Sequence, residues 1–152
     1  SKIPNNTSDG VFMLNVNEYI EVSDSTIASD TGCIAGIYLI PTKLVFYRRN
    51  KDGSQFQILK EDIIDVSTDL TDTRLNIRKT DGVMWLGGGD ENSAIWNFSP
   101  TNIPPDTVRW RLDSDSECPY IYIRPVSGAA GGGFPPGTLT KFNMLGGSAC
   151  PE

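Results

Sequence analysis

The chain contains no histidine in its 152 residues. Three things go with it: the usual general base near neutral pH, the Ser-His and Cys-His nucleophile pairs, and the commonest zinc ligand. Cysteine is scarce too. Cys33, Cys118 and Cys150 are odd in number, widely spaced and without a C-x-x-C pair, which fits neither a disulfide framework nor a zinc site. Buried or incidental thiols in a reducing compartment are the favoured reading, and one bridge plus a leftover thiol is the alternative. Long hydrophobic runs are also missing. The longest, Ile34 to Pro41, is too short to span a bilayer, and no apolar stretch follows Ser1-Lys2 as a signal peptide would require. Basic charge is not in excess: 13 Lys and Arg stand against 19 Asp and Glu, a net charge of −6. Residues 36–83 carry +1 and the remainder −7. A duplex-binding face needs a basic excess, so direct sequence-specific contact with nucleic acid is not expected.

What is present is turn chemistry and alternation. Fifteen Gly and ten Pro predict many turns and little helix. Residues 1–10 read as a flexible N-terminal arm, 11–145 as a single β-domain, and 146–152 as a flexible tail. Inside the domain, Cys33 to Ile40 is a buried strand bounded by Pro41. Leu44 to Arg49 is a second, ending at the Asn50-Lys51-Asp52-Gly53 turn. Gln55 to Leu59 and Arg74 to Arg78 alternate apolar and polar, so Leu75 and Ile77 face one way and Arg74, Asn76 and Arg78 the other. Glu61 to Val66 fits a helical turn or a short strand. Thr80-Asp81-Gly82 reverses the chain into Val83 to Leu86. Asp90 to Asn97, with an acidic first turn, is the best helix candidate. Thr107 to Leu112 and Tyr120 to Ile123 are further strands, the second bounded by Pro119 and Pro125. Val126 to Gly137 is a Gly/Pro loop, and Leu139 to Leu145 closes the domain. The expected fold is all-β: an antiparallel β-sandwich or partly open barrel of about seven to nine short strands with one or two short helical turns.

Few residue groups carry chemistry. Asp113, Asp115 and Glu117 place carboxylates at alternate positions and could offer oxygens to a hard cation such as Ca²⁺. The run lacks the rest of an EF-hand loop, and a solvated acidic loop is the favoured reading. Gly87-Gly88-Gly89-Asp90 lacks the Lys-Ser/Thr of a phosphate-binding loop. Arg48, Arg49 and Lys51 close a strand rich in aromatics. They are candidates for holding a lipid phosphate, weighed against a solvated, charged strand end that opposes edge aggregation. No cofactor motif and no catalytic set emerge.

Residues 36–86 carry a family pattern. Gly36 to Tyr47 (GIYLIPTKLVFY), Phe56 to Val66 (FQILKEDIIDV) and Leu75 to Gly82 (LNIRKTDG) resemble the core of pleckstrin-homology-like domains of the GRAM type. That family runs strand, T-x-L-V-F strand, I-x-x-x-D-I-x-x-V step, then a strand ending in K-x-D-G. The resemblance implies a curved antiparallel sheet used for binding. The chain departs from it after Gly87, where the family closes with a long amphipathic helix and this sequence is broken by Gly and Pro.

Two functional expectations follow. The first is a non-enzymatic structural or interaction subunit of a larger homo- or hetero-oligomeric assembly, such as a virus or phage particle component (capsid decoration, portal or tail), in a virion or cytoplasm. The second is a pleckstrin-like module binding membrane lipid or peptide. A carboxylate- or metal-dependent hydrolase is the least favoured.

Overall fold

A computed structural model of the chain describes residues 7–8, 10–24, 33–50, 56–64, 74–87, 92, 94–99, 108–109, 122–128 and 142–148. These residues form twelve strands: β1 (Thr7–Ser8), β2 (Val11–Asn15), β3 (Glu18–Asp24), β4 (Cys33–Ile40), β5 (Lys43–Asn50), β6 (Gln57–Ile63), β7 (Arg74–Arg78), β8 (Val83–Leu86), β9 (Ala94–Ser99), β10 (Val108–Arg109), β11 (Tyr122–Gly128) and β12 (Phe142–Ser148). They build two antiparallel sheets. One has seven strands in the order β1-β2-β7-β8-β9-β11-β10, the other five in the order β12-β3-β4-β5-β6. The all-β class expected from the sequence forms, and the two antiparallel sheets fit the sandwich of the two expected architectures, sandwich or partly open barrel.

Alternation explains the pairing. In β2 and β7, Phe12, Leu14, Leu75 and Ile77 are buried on one face, and Leu14 stands opposite Leu75. In β4 and β5 the same role falls to Ala35, Ile37, Leu39, Leu44 and Phe46. The two sets meet in a single core with Met84, Trp96, Phe98 and Ile123. Burying each large side chain contributes about 1.5–3 kcal/mol, which sets register, because a one-residue slip would turn every such side chain to the wrong face. A T-shaped Phe46–Trp96 contact, 5.2 Å between ring centroids, ties β5 to β9 across the core.

The Thr80-Asp81-Gly82 turn is present. Gly82 has φ +81° and its N–H donates to the Arg78 carbonyl at 2.8 Å. Arg78 Nε and Nη2 each donate to Asp81 at 2.8 Å, clamping the corner. A Cβ on Gly82 would stand 2.5 Å from Phe98 Cδ2, so alanine there meets both an unfavourable φ and a core ring. Gly82→Ala is expected to lower stability by about 3 kcal/mol, read as a fall in the urea midpoint with an unchanged slope. A shift below a few tenths of that size would mean the turn relaxes freely.

Several sequence expectations need correction. Asp90 to Asn97, read as a helix, enters β9 at Ala94. Ala94, Trp96 and Phe98 are buried, and the ladders to β8 and β11 outweigh a capping pattern that only a longer helix could use. Pro125 does not end the strand begun at Tyr122. β11 continues to Gly128, with a register irregularity between Pro125 and Gly128, a position where a residue without an N–H is tolerated. Val126 to Gly128 therefore belong to a strand, not to a loop. Glu61 to Ile63 resolve as strand. β12 pairs with β3 from Phe142↔Asp24 to Ser148↔Glu18, so residues 146–148 of the expected tail are paired backbone. Of Thr107 to Leu112, only Val108 and Arg109 are described, and the Asn50-Lys51-Asp52-Gly53 turn lies outside the described residues beyond Asn50.

Candidate functional site

The outward face of the five-stranded sheet holds a polar cluster. Register aligns Glu21 of β3 with Gly36 of β4, and Gly36 with Tyr47 of β5. All three point away from the main core, because their neighbours Ile20, Val22, Ala35, Ile37 and Phe46 point into it. Gly36 has no side chain, and the Tyr47 ring occupies the space a Cβ there would take. A Cβ at Gly36 would be 2.1 Å from Tyr47 Cζ. Crossing that gap, the Tyr47 hydroxyl donates to Glu21 Oε2 at 2.7 Å. From β5, Arg49 Nε donates to the same oxygen at 2.7 Å and Nη2 to Oε1 at 2.8 Å, and Arg49 Nη1 donates to the Asn50 carbonyl at 2.9 Å.

Glu21 is only 3% exposed. A buried carboxylate is tolerated where it is paired and hydrogen-bonded, and here three donors from two side chains supply that. Around the cluster, Phe56 stacks on Tyr47 with centroids 5.0 Å apart and Tyr38 packs at 5.7 Å. Burial, and then the Glu21 charge, push the Tyr47 hydroxyl well above its ordinary value. The hydrogen bonds that Arg49 donates to the Glu21 carboxylate hold its guanidinium even more firmly charged than usual. A nucleophile or general acid needs a poised proton near neutral pH, and Tyr47 is moved the opposite way.

The sign of the pH effect follows. A tyrosine raised in the folded state stays protonated while the unfolded chain ionises, so stability is full below the unfolded value of 10.0 and falls as pH climbs beyond it. Wild-type protein is expected to lose about 1.4 kcal/mol per pH unit above that point from Tyr47 alone. Tyr47→Phe gives up a hydrogen bond to a charged group, about 1.5–3 kcal/mol at pH 7, and flattens the alkaline decline by one proton. Urea titrations at about pH 8 and pH 11 compare the two slopes. Equal slopes would remove Tyr47 as the titrating group.

A second polar group bridges the sheets. Trp96 Nε1 of β9 donates to Asp62 Oδ2 of β6 at 2.8 Å, and Lys60 Nζ lies 5.8 Å from the same ring. On the outer face of β6, Lys43 pairs with Glu61 at 3.3 Å. On the seven-stranded sheet Asn76 Nδ2 donates to the carbonyls of Trp85 and Gly87 at 3.3 and 2.8 Å, and Arg124 Nε donates to Asn97 Oδ1 at 2.9 Å. The Lys43–Glu61 pair is solvent-exposed; the others satisfy buried or part-buried polar atoms.

The residues singled out from the sequence are distributed as follows. Arg49 sits in the Glu21 cluster with its side chain 17% exposed. Arg48, its neighbour, faces the other side of the sheet and is 6% exposed. The two are thus split across the strand and do not form one cationic patch. Lys51, Asp113, Asp115, Glu117, Cys118 and Cys150 lie outside the described residues, and of Cys33 only the backbone pairing with Asn50 is described. Among the described residues no group of three His, Cys, Asp or Glu is close enough to hold a metal ion, and no helix is long and apolar enough to cross a membrane. Glu21 escaped the sequence reading because it sits at an outward strand position, where glutamate is ordinary. The available signal was Gly36, a glycine mid-strand, which marks close approach of another group. Compared with known proteins, the chain matches no family model, no curated protein and no solved structure.

Proposed function

We propose that this chain is a non-enzymatic structural subunit of a larger assembly, of the kind found in virus or phage particles as a capsid decoration, portal or tail component. The observation that carries the reading is the margin of the five-stranded sheet. β6 pairs with β5 on one side and, among the described strands, ends that sheet, and it exposes Ile63 at 79% and Ile58 at 41%. Large aliphatic side chains held out on an edge strand are what an assembling subunit uses to bury surface against a neighbour. Among the described residues several polar side chains are, by contrast, committed to partners within the chain: Glu21 to Tyr47 and Arg49, Asp81 to Arg78, Asp62 to Trp96. The pleckstrin-like alternative drew on Arg48, Arg49 and Lys51. Arg48 is buried and Arg49 gives two donors to Glu21, so neither is presented to a headgroup.

Light scattering on the intact chain over a wide concentration range tests the proposal. The expected result is a mass above that of one chain at high concentration. A single-chain mass throughout would overturn it.

A further inference from the structure

We propose that β6 is a detachable strand. It leaves β5 as a unit while the rest of both sheets stays folded, and the Trp96–Asp62 hydrogen bond is the latch that holds it closed. The inference does not depend on the assembly reading above.

A strand is held by the side chains it buries, by its ladder and by its side-chain bonds. β6 is weak in the first two. None of its seven residues is buried, whereas β5 beside it buries Leu44, Val45, Phe46 and Tyr47, and β7 in the other sheet buries Leu75 and Ile77. Its apolar hold comes from Leu59, half-buried against the core, and from two flanking residues: Phe56, stacked on Tyr47, and Ile64, which is 8% exposed. Among the described strands β6 pairs with β5 alone, and that ladder shifts register between Phe46 and Tyr47. Lys60 stands opposite Phe46 and Ile58 opposite Tyr47, so Leu59 is the extra residue of a bulge, where pairing is locally disrupted. From the other sheet β10 approaches β6, along two residues. A segment with little buried apolar surface and an exposed, interrupted ladder opens at a lower free energy than the whole molecule unfolds.

What closes β6 is polar. Asp62 and Lys60 face inward, opposite Leu44 and Phe46. Asp62 Oδ2 accepts from Trp96 Nε1 at 2.8 Å, and Lys60 Nζ lies 5.8 Å from the centroid of that ring. Trp96 is fixed in the core at 5% exposure and packs edge-on against Phe46, so it stays behind when β6 leaves. A hydrogen bond to a carboxylate is roughly twice as strong as a neutral one, and this one ties β6 to the seven-stranded sheet, a hold that the β5 ladder does not provide. The opened form bares the backbone edge of β5 and leaves β4, β7 and β8 in place.

Native-state hydrogen exchange of the full chain across sub-denaturing urea is the test. The amides of β6, and those of β5 that donate to it, are expected to be at least about tenfold less protected than the amides of β4 and β7, with a weaker dependence on urea. Asp62→Ala is expected to speed the β6 amides about tenfold further, through loss of one charge-assisted bond. The wild-type comparison needs no variant. β6 amides with the protection and urea dependence of β4 and β7 would overturn the proposal, because the strand would then open only with the whole molecule. Unchanged β6 exchange in Asp62→Ala would overturn the latch, because the bond would then survive the opening or contribute nothing against it.

Discussion

Gly36→Ala is expected to be the most damaging single-methyl change in the described sheet, costing roughly 3 kcal/mol or more. The new Cβ would fall 2.1 Å from Tyr47 Cζ and 2.4 Å from the hydroxyl oxygen, well inside van der Waals contact. The ring cannot slide away cheaply: Phe56 stacks on it, Tyr38 packs at its side, and its hydroxyl is held by Glu21. Moving it also breaks that hydrogen bond and weakens the support of a carboxylate that is 3% exposed. Against a typical domain stability of about 5–15 kcal/mol, such a loss shows as a steep fall in the urea midpoint or in folded yield. A double-mutant cycle isolates the cause. In a Tyr47→Ala background the overlap is gone, and adding Gly36→Ala is expected to cost at least about 2 kcal/mol less than it does alone. Equal costs in both backgrounds would show that the Tyr47 ring is not what excludes a side chain at position 36.

The second large effect concerns Glu21. Glu21→Ala leaves the Tyr47 hydroxyl and two Arg49 donors without their acceptor. Removing one partner of a buried ion pair costs about 3–5 kcal/mol. Arg49 keeps 17% of its side chain in contact with solvent, which screens the orphaned charge and places the expectation near 3 kcal/mol. Replacing both charges, Glu21→Leu with Arg49→Leu, is expected to recover most of that loss, because the desolvation of both ions disappears along with their attraction. Urea denaturation of the two variants measures it. A double variant no more stable than Glu21→Ala would mean that the ion pair itself, and not the stranding of one charge, supplies the stability.

Part of this architecture was legible in the chain. Alternation in Arg74 to Arg78 placed Leu75 and Ile77 on one face, and both are fully buried in the core. The apolar run from Cys33 to Ile40 and its neighbour from Leu44 onward emerged as β4 and β5. The Thr80-Asp81-Gly82 turn formed with the positive φ that glycine permits. Less was legible after Gly87. Trp96 and Phe98 sit in a segment whose acidic start imitates a helix cap, yet their pairing is decided by β8 and β11, which local sequence does not contain. Pro125 read as a stop because its missing N–H breaks a ladder, and the irregularity beside it accommodates the loss. Arg48 and Arg49 read as one basic patch, although adjacent strand positions face opposite ways. Only the pairing of β5 with β3 through β4 showed that one of them meets Glu21.

By itself the sequence determined the class of this protein. Period-two alternation, abundant turn residues and the lack of long apolar or helical runs leave an antiparallel β-domain as the consistent solution, and these are local properties that a linear string records. Only the tertiary structure decided which strands neighbour one another, that an outward glutamate becomes a buried carboxylate held by Tyr47 and Arg49, and that β6 is, among the described strands, the last of its sheet, with Ile63 exposed. Those outcomes depend on contacts between residues 26 and 28 positions apart, as in the Glu21 cluster, or 34 apart, as between Asp62 and Trp96. Such pairings are selected by the shared burial of a whole core, a free energy summed over both sheets that no short stretch of sequence carries.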